Sequence, residues 1–345
     1  LIRAAAFSSL RRVSTLTHGL LVILGLAIAA NAAFNPKDAC ARPDVPAGIA
    51  FDTPLKQGES KLSYSYQRIQ RGGLRKGKHR IAANDPAVLA LANQIPSAMH
   101  TDIHTLGVQH APYERLTLAL QLPLVSHRMR QNETGAGAYP TDSFGVGDLE
   151  IVGMVPFMVK GNETLDIYLG LRLPTADVGN KGDVDFAGAR GLLPVAMQSG
   201  GRTTSIIAGL SYQGYFREVG WGVNGSGGLG FGDNHRGYRL GNEMAFTGWL
   251  SHEVTTWFSS SLRLAYDRSF GLQRSQVSGP PDHLASLRSS TGGERVTLGP
   301  GISVGVPGNS RQRLSIEAAW PVHQSLRGVQ LDRKWSLTTG WEWIF

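Results

Sequence analysis

Lys334-Trp335-Ser336-Leu337-Thr338-Thr339-Gly340-Trp341-Glu342-Trp343-Ile344-Phe345 is the stretch from which the rest of the chain can be read. Trp335, Leu337, Thr339, Trp341, Trp343 and Phe345 fall on one parity; Ser336, Thr338, Gly340, Glu342 and Ile344 fall on the other. Side chains alternate across a strand, so this is a strand with one aromatic, apolar face and one mostly polar face. Two settings suit such a strand. One is the half-buried edge of a soluble sandwich; the other is the wall of a membrane β-barrel, with lipid on one side and water on the other.

Working upstream, strand-like segments of period two recur between turn signals. The clearest are Leu116 to His127, with Leu116, Leu118, Leu120, Leu122 and Leu124 on one face, and Leu165 to Leu173, with a leucine or isoleucine at every second position. Twelve such segments can be placed between Glu59 and Phe345. Short turns are expected at 112–115, 160–163, 217–220, 251–254 and 307–310. Longer polar connections are expected at 70–99, 128–144, 174–201, 232–238 and 268–293, with a last connection through Gly328. Short and long connections therefore alternate, as they do between the periplasmic and outer ends of bacterial outer-membrane barrels. A sandwich gives no reason for that alternation. The expected fold is all-β: a transmembrane, antiparallel, up-and-down β-barrel of about twelve strands spanning residues 58–345.

Composition agrees. Of 345 residues 43 are glycine and only 17% are charged, which suits a Gly-rich β protein and not a disordered one. Residues 1–33 read as an export signal: Arg3, Arg11 and Arg12 precede the apolar run Gly19 to Ala30, and Ala30-Asn31-Ala32 offers small residues for cleavage. That run falls short of the roughly 20 residues a membrane helix needs. A chain without such a helix can span lipid only as a closed barrel, because open strands would leave backbone groups unpaired. The formal charge of +8 falls to +5 without residues 1–33, which hold three arginines and no acid. Export and scattered basic residues argue against a nucleic-acid partner. Cys40 is the one cysteine, so no disulfide forms within the chain. Residues 34–57, rich in Pro, Ala and Asp, read as a periplasmic leader. The expected location is the outer membrane, reached by the signal peptide, in a Gram-negative-type envelope.

If the leucine faces look at lipid, the interleaved charges line the lumen: Glu150, Asp166, Arg172, Glu243, Arg263, Asp267, Glu317 and Glu342. Charge is costly on the lipid face and tolerated in a wet interior. Both signs occur, so paired charges are expected. Arg71, Arg75, Lys76, Lys78 and Arg80 form a basic run in the first long connection, where they would meet lipopolysaccharide phosphates; the plain alternative is a solvated loop. For metal, the candidates are Met99, His100 and His127. A two-residue turn at Tyr113-Glu114 would set His100 opposite His127, and imidazole with thioether suits copper. No cofactor is expected. No His-x-Ser pair lies on a lipid face, and Gly145-x-Gly147 opens no helix, so nothing reads as catalytic machinery.

The hairpin from Thr101 to Met129, the runs Gly145–Ile151, Leu171–Asp177 and Gly237–Asn242, and the terminal strand, in that order, resemble the outer-membrane family named for the MetA pathway of phenol degradation. Relatives are richer in Met and His around the second strand; this chain keeps Met99, His100, His104 and His110. The resemblance implies a transporter-like, porin-like barrel passing small solutes, aromatic or other hydrophobic ones among them. Trp341, Trp343 and Phe345 resemble the C-terminal signal read by the barrel-assembly machinery. The alternatives are a non-conducting barrel that scaffolds a partner protein and a copper-related outer-membrane protein. The protein is expected to act as a monomer.

Overall fold

The computed structural model describes residues 45–49, 51, 53–275, 282–306 and 309–345. The export signal, Cys40 and the tip of the 307–310 turn lie outside the described residues. In chain order the strands are β1 (Ser60–Gly77), β2 (His79–Ile81), β3 (Gln94–Tyr113), β4 (Leu116–Glu133), β5 (Gly137–Val146), β6 (Leu149–Lys160), β7 (Glu163–Leu173), β8 (Lys181–Asp183) and β9 (Arg190–Leu192). They continue as β10 (Thr204–Phe216), β11 (Val219–Phe231), β12 (Tyr238–Arg239), β13 (Glu243–Thr255), β14 (Phe258–Ser269), β15 (Gln273–Ser275), β16 (Gly293–Val306) and β17 (Asn309–Ile344). Among the described residues no helix is long and apolar enough to cross a membrane.

Eleven elements follow one another around a ring, from β1 through β3, β4, β6, β7, β10, β11, β13, β14 and β16 to β17, which pairs back onto β1. Every pairing in the ring is antiparallel. The 36 residues of β17 run antiparallel to β16 through 309–326 and antiparallel to β1 through 326–344. The chain therefore reverses within β17, at Gly328, whose φ of +67° belongs to the left-handed region. Gln330 Nε2 closes the reversal by donating to Arg327 O at 2.7 Å. Counting that reversal, the wall has the twelve passes that the sequence leads one to expect.

The outer surface is a belt of exposed apolar side chains, including Leu106, Leu118, Leu210, Phe246, Leu264, Leu298, Leu314 and Trp320. A water-facing surface rarely carries so wide an apolar patch, whereas a hydrocarbon-facing one requires it. Tyr113, Phe157, Phe216, Trp257, Trp343 and Phe345, also exposed, cluster at the short-turn end, where an interface girdle belongs.

Where strand boundaries differ most from the sequence expectation, the strands are longer. β13 runs on through 251–254 to Thr255, and its turn is Thr256-Trp257. The β-branched run Val254-Thr255-Thr256 favours that extension. The 128–144 connection is itself a hairpin of β4 and β5, and β1 reaches Gly77. These outer portions are polar, so hydropathy reads them as loops. Cross-strand pairs hold them straight, with Arg128 Nε 2.7 Å from Asp142 Oδ1 and Arg68 Nε 2.7 Å from Asp102 Oδ1. At ~3.3 Å per residue, the 20 residues of β3 project well beyond an apolar slab that 9–11 tilted residues cross.

Leu264 is an exposed residue midway along β14, and Ala265 beside it lines the lumen. Leu264→Arg should lower folding stability in liposomes by about 2–4 kcal/mol. Ala265→Ser should be near neutral, both read by urea titration.

Candidate functional site

The inward positions of the wall enclose two charged cavities, of about 430 and 240 Å³. Gly48, Ile49 and Phe51 line both, so the segment before β1 lies between them. Its anchors can be followed around the lumen. Val45 O accepts from Arg313 Nη2 at 3.5 Å. A Cβ on Gly48 would stand 2.5 Å from Arg263 Nη2 and 2.6 Å from Glu317 Oε1, so a side chain there would have to displace the ends of that ion pair. Phe51, 7% exposed, packs with Ala119, Val152, Met154, Tyr168 and Ile207. Thr53 Oγ1 accepts from Gln213 Nε2 at 3.1 Å, and Leu55 N donates to Thr117 Oγ1 at 2.8 Å. The segment enters at the short-turn end and crosses the interior as a plug.

Ion pairs line the wall around it. Arg172 bridges Glu150 at 2.8 Å and Glu243 at 2.6 Å. Arg263 grips Glu317 with both ends of its guanidinium, at 2.9 and 2.5 Å. Arg295 meets Asp267 at 3.0 Å, and Arg313 meets Glu342 at 2.9 Å with Lys61 3.6 Å away. Asp166 is buried and accepts from Gln213 at 3.4 Å. All eight acids and bases read from strand parity are thus inside the ring. Removing one member of a desolvated pair such as Arg263–Glu317 leaves a buried charge, at a cost of about 3–5 kcal/mol.

Parity reading missed Lys61, Arg71, Arg295, Arg313 and Arg333. Lys61, Arg295 and Arg313 share parity with inward neighbours and were findable. Arg333 was hidden by a register shift between Gln70 and Arg71, where β1 meets β17. Arg71 corrects the expected lipopolysaccharide set: it lies inside, donating from Nη1 to Thr101 Oγ1 at 2.8 Å. β1 continues past the membrane band and carries Arg71 on its inner face. Arg75 and Arg80 turn to Asp332, at 2.9 and 3.3 Å, while Lys76 and Lys78 are exposed.

The metal candidates do not assemble. A register shift between His110 and Tyr113 pairs His100 with Arg128 and Thr101 with His127, one residue from the expected register. A one-residue slip puts the two histidines on opposite faces. His127 instead contacts Thr101 Oγ1 and Gln198 O at 3.0 and 3.2 Å. Among the described residues no group of three or more His, Cys, Asp or Glu could hold a metal. Met99 faces Met129 across the β3–β4 ladder, and both join Leu193 and Met197 in an apolar cluster. Trp341, Trp343 and Phe345 lie along the seam with β1, where Trp341 pairs with Tyr64 and Trp343 with Leu62.

The outer mouth is covered by the long connections. Leu284 packs with Leu74, Val88, Ala92, Ile95 and Val329. Beside it His283, fully buried, receives Gln131 Nε2 at Nδ1 (3.1 Å) and donates from Nε2 to Val184 O (2.9 Å), an arrangement that needs the neutral ring. Burial holds its pKa below the ordinary value of 6.5.

No protein-family profile matches the sequence, and no curated protein does. The phenol-degradation resemblance therefore rests on short motifs alone. The COG4313 outer membrane channel from Pseudomonas putida F1 has a similar structure: TM-score 0.60, 13% identity, 88% of this chain and 100% of that one. The beta domain of the Bordetella autotransporter Brka aligns at TM-score 0.44 and 10% identity, over 84% of this chain and 100% of that one. A Pseudomonas aeruginosa FadL homologue aligns at 0.41 and 9%, over 88% and 94%. At such identities the first of these shows a shared fold.

A folded-state pKa below the unfolded one means that His283 favours the native cover above pH 6.5 and opposes it as pH falls below that value. Hydrogen exchange at the amides of Asn93 and Gln94, which bond to Asp282 O, should quicken between pH 7 and pH 5 after correction for intrinsic rates. His283→Gln should flatten that dependence.

Proposed function

We propose that this protein is an outer-membrane channel for small solutes, held shut in the state described here by its own residues 45–57. One observation carries the reading. The inner cavities meet at Gly48, Ile49 and Phe51, which line both and belong to the segment before β1 rather than to the wall. A narrow barrel filled by its wall would have no use for a plug. Selection would be steric and electrostatic, through the ion pairs that line the path. The similarity to a solved outer-membrane channel supports the reading at the level of fold. The hairpin resemblance favours small aromatic or hydrophobic solutes. In an outer membrane, the exposed Lys76, Lys78 and Arg80 stand where lipopolysaccharide phosphates would meet them.

A second reading, a non-conducting scaffold, draws on the Glu150–Arg172–Glu243 network. That network is local, and Arg263–Glu317 and Arg295–Asp267 form separate pairs beside open volume. The scaffold reading needs a lumen locked throughout.

Planar-bilayer recordings of refolded protein decide between them. The full chain should give rare or small steps, and the chain lacking residues 34–57 should give stable ones. Silence from both, with heat-modifiable gel mobility showing folded barrels, would favour the scaffold.

A further inference from the structure

Above the plug lies a third cavity, of about 400 Å³, within the range of roughly 300–1,000 Å³ typical of small-molecule sites. Its sides are apolar: Met99, Met129, Phe270, Leu284, Val329 and Leu331. Its floor is not. Arg71 and Arg295 line it, and Arg295 also lines the charged cavity below, together with Arg333.

These three arginines are under-neutralised. Arg71 and Arg333 are direct partners across the β1–β17 ladder, an arrangement of like charges that weakens a sheet. Among the described residues, the charges acting most on Arg71 are those of Arg333 and Arg295. Its hydrogen-bond acceptor is the neutral Thr101 hydroxyl. Nε of Arg295 and Nε of Arg333 are buried and meet no acceptor. Two acids stand nearby. Asp267 is bound to Arg295 at 3.0 Å, and Glu243, which lines both cavities, is bound to Arg172 at 2.6 Å. His127 also faces the cavity, with its nitrogens engaged by Thr101 and Gln198. Asp267 offsets one of the three guanidiniums, and the Glu150–Arg172–Glu243 group beside them carries one net negative charge, so the local surplus is about one positive charge. Placing it on the seam that closes the barrel is costly unless an anion balances it.

We infer that this cavity binds a small organic anion: a carboxylate held by Arg71 and Arg295, with Arg333 adding positive charge from the cavity below, and a compact apolar body between the methionines and leucines above. Guanidinium groups receive a carboxylate through paired donors, and the thioethers of Met99 and Met129 adapt to a flat ring or a short aliphatic body. The assignment deepens the channel reading by naming a solute class, and it rests on that reading for its role in transport. Binding itself requires no conductance.

The test is equilibrium dialysis of the refolded full-length protein in detergent against radiolabelled benzoate, with empty micelles as the blank. Saturable binding is expected, displaced by cyclohexanecarboxylate. Benzyl alcohol, which lacks the charge, and acetate, which lacks the body, should each be at least tenfold weaker competitors. Decanoate should compete less well than benzoate, because the cavity is short. Arg333→Gln and Arg71→Gln should each weaken benzoate at least tenfold, with Arg333→Lys keeping most of the affinity. Heat-modifiable mobility identifies any variant that fails to fold, and Arg333→Lys with the competitor series then carries the test. Absence of saturable binding overturns the proposal. So does benzyl alcohol competing as well as cyclohexanecarboxylate, which would make the site merely apolar, or acetate competing as well, which would make it a bare anion site. Stronger competition by decanoate would overturn the small-solute assignment in favour of a lipid-derived acyl anion. Benzoate binding without conductance from either chain would leave the site standing and remove the channel.

Discussion

The backbone hydrogen bonds between β1 and β17 are the constraint on which everything else depends. A sheet edge can be solvated in water, but in hydrocarbon each unpaired amide costs several kcal/mol. The ladder from Lys61–Ile344 to Gly77–Leu326 removes both edges at once. Closure then forces parity on every strand. One face of each must meet lipid and the other the lumen, and a slip of one residue would carry Glu150, Arg172 or Glu317 into the hydrocarbon. The apolar belt and the charged interior are two consequences of the same seam.

Closure also makes the interior small, so each side chain placed there has a large effect. The wall charges are mostly neutralised by neighbours on adjacent strands, as with Arg172 on β7 and Glu150 on β6. Such pairs add less to stability than their geometry suggests, because desolvation offsets the attraction. Their effect is to shape volume: side chains held in pairs against the wall leave space at the centre. Part of that space is taken by the described residues between Val45 and Leu55. Their contacts are a few hydrogen bonds, the Phe51 cluster, and the close approach of Gly48 to Arg263 and Glu317.

The lumen is graded along its length. On both sides of the plug it is lined by charge; above the three arginines it is lined by methionine, leucine and valine.

The twelve passes, the alternation of short and long connections and the inward parity of eight charged residues were legible in the sequence. Each follows from a period of two imposed by lipid on one side and water on the other, a local rule that a single strand reveals. Its reach ended where that contrast ended. The polar outer halves of β1, β3, β4 and β5 carry no hydropathy alternation, so they read as loops although their backbone ladders continue. Register irregularities were also invisible: the shift beyond His110 separates His100 from His127, and the one beyond Gln70 brings Arg71 onto Arg333. Sequence thus determined which residues face inward wherever the membrane enforces alternation. Only the tertiary structure decided which of them meet, because those meetings depend on ring closure, on register shifts, and on residues 45–57 folding back into a lumen that exists only once the ring has closed.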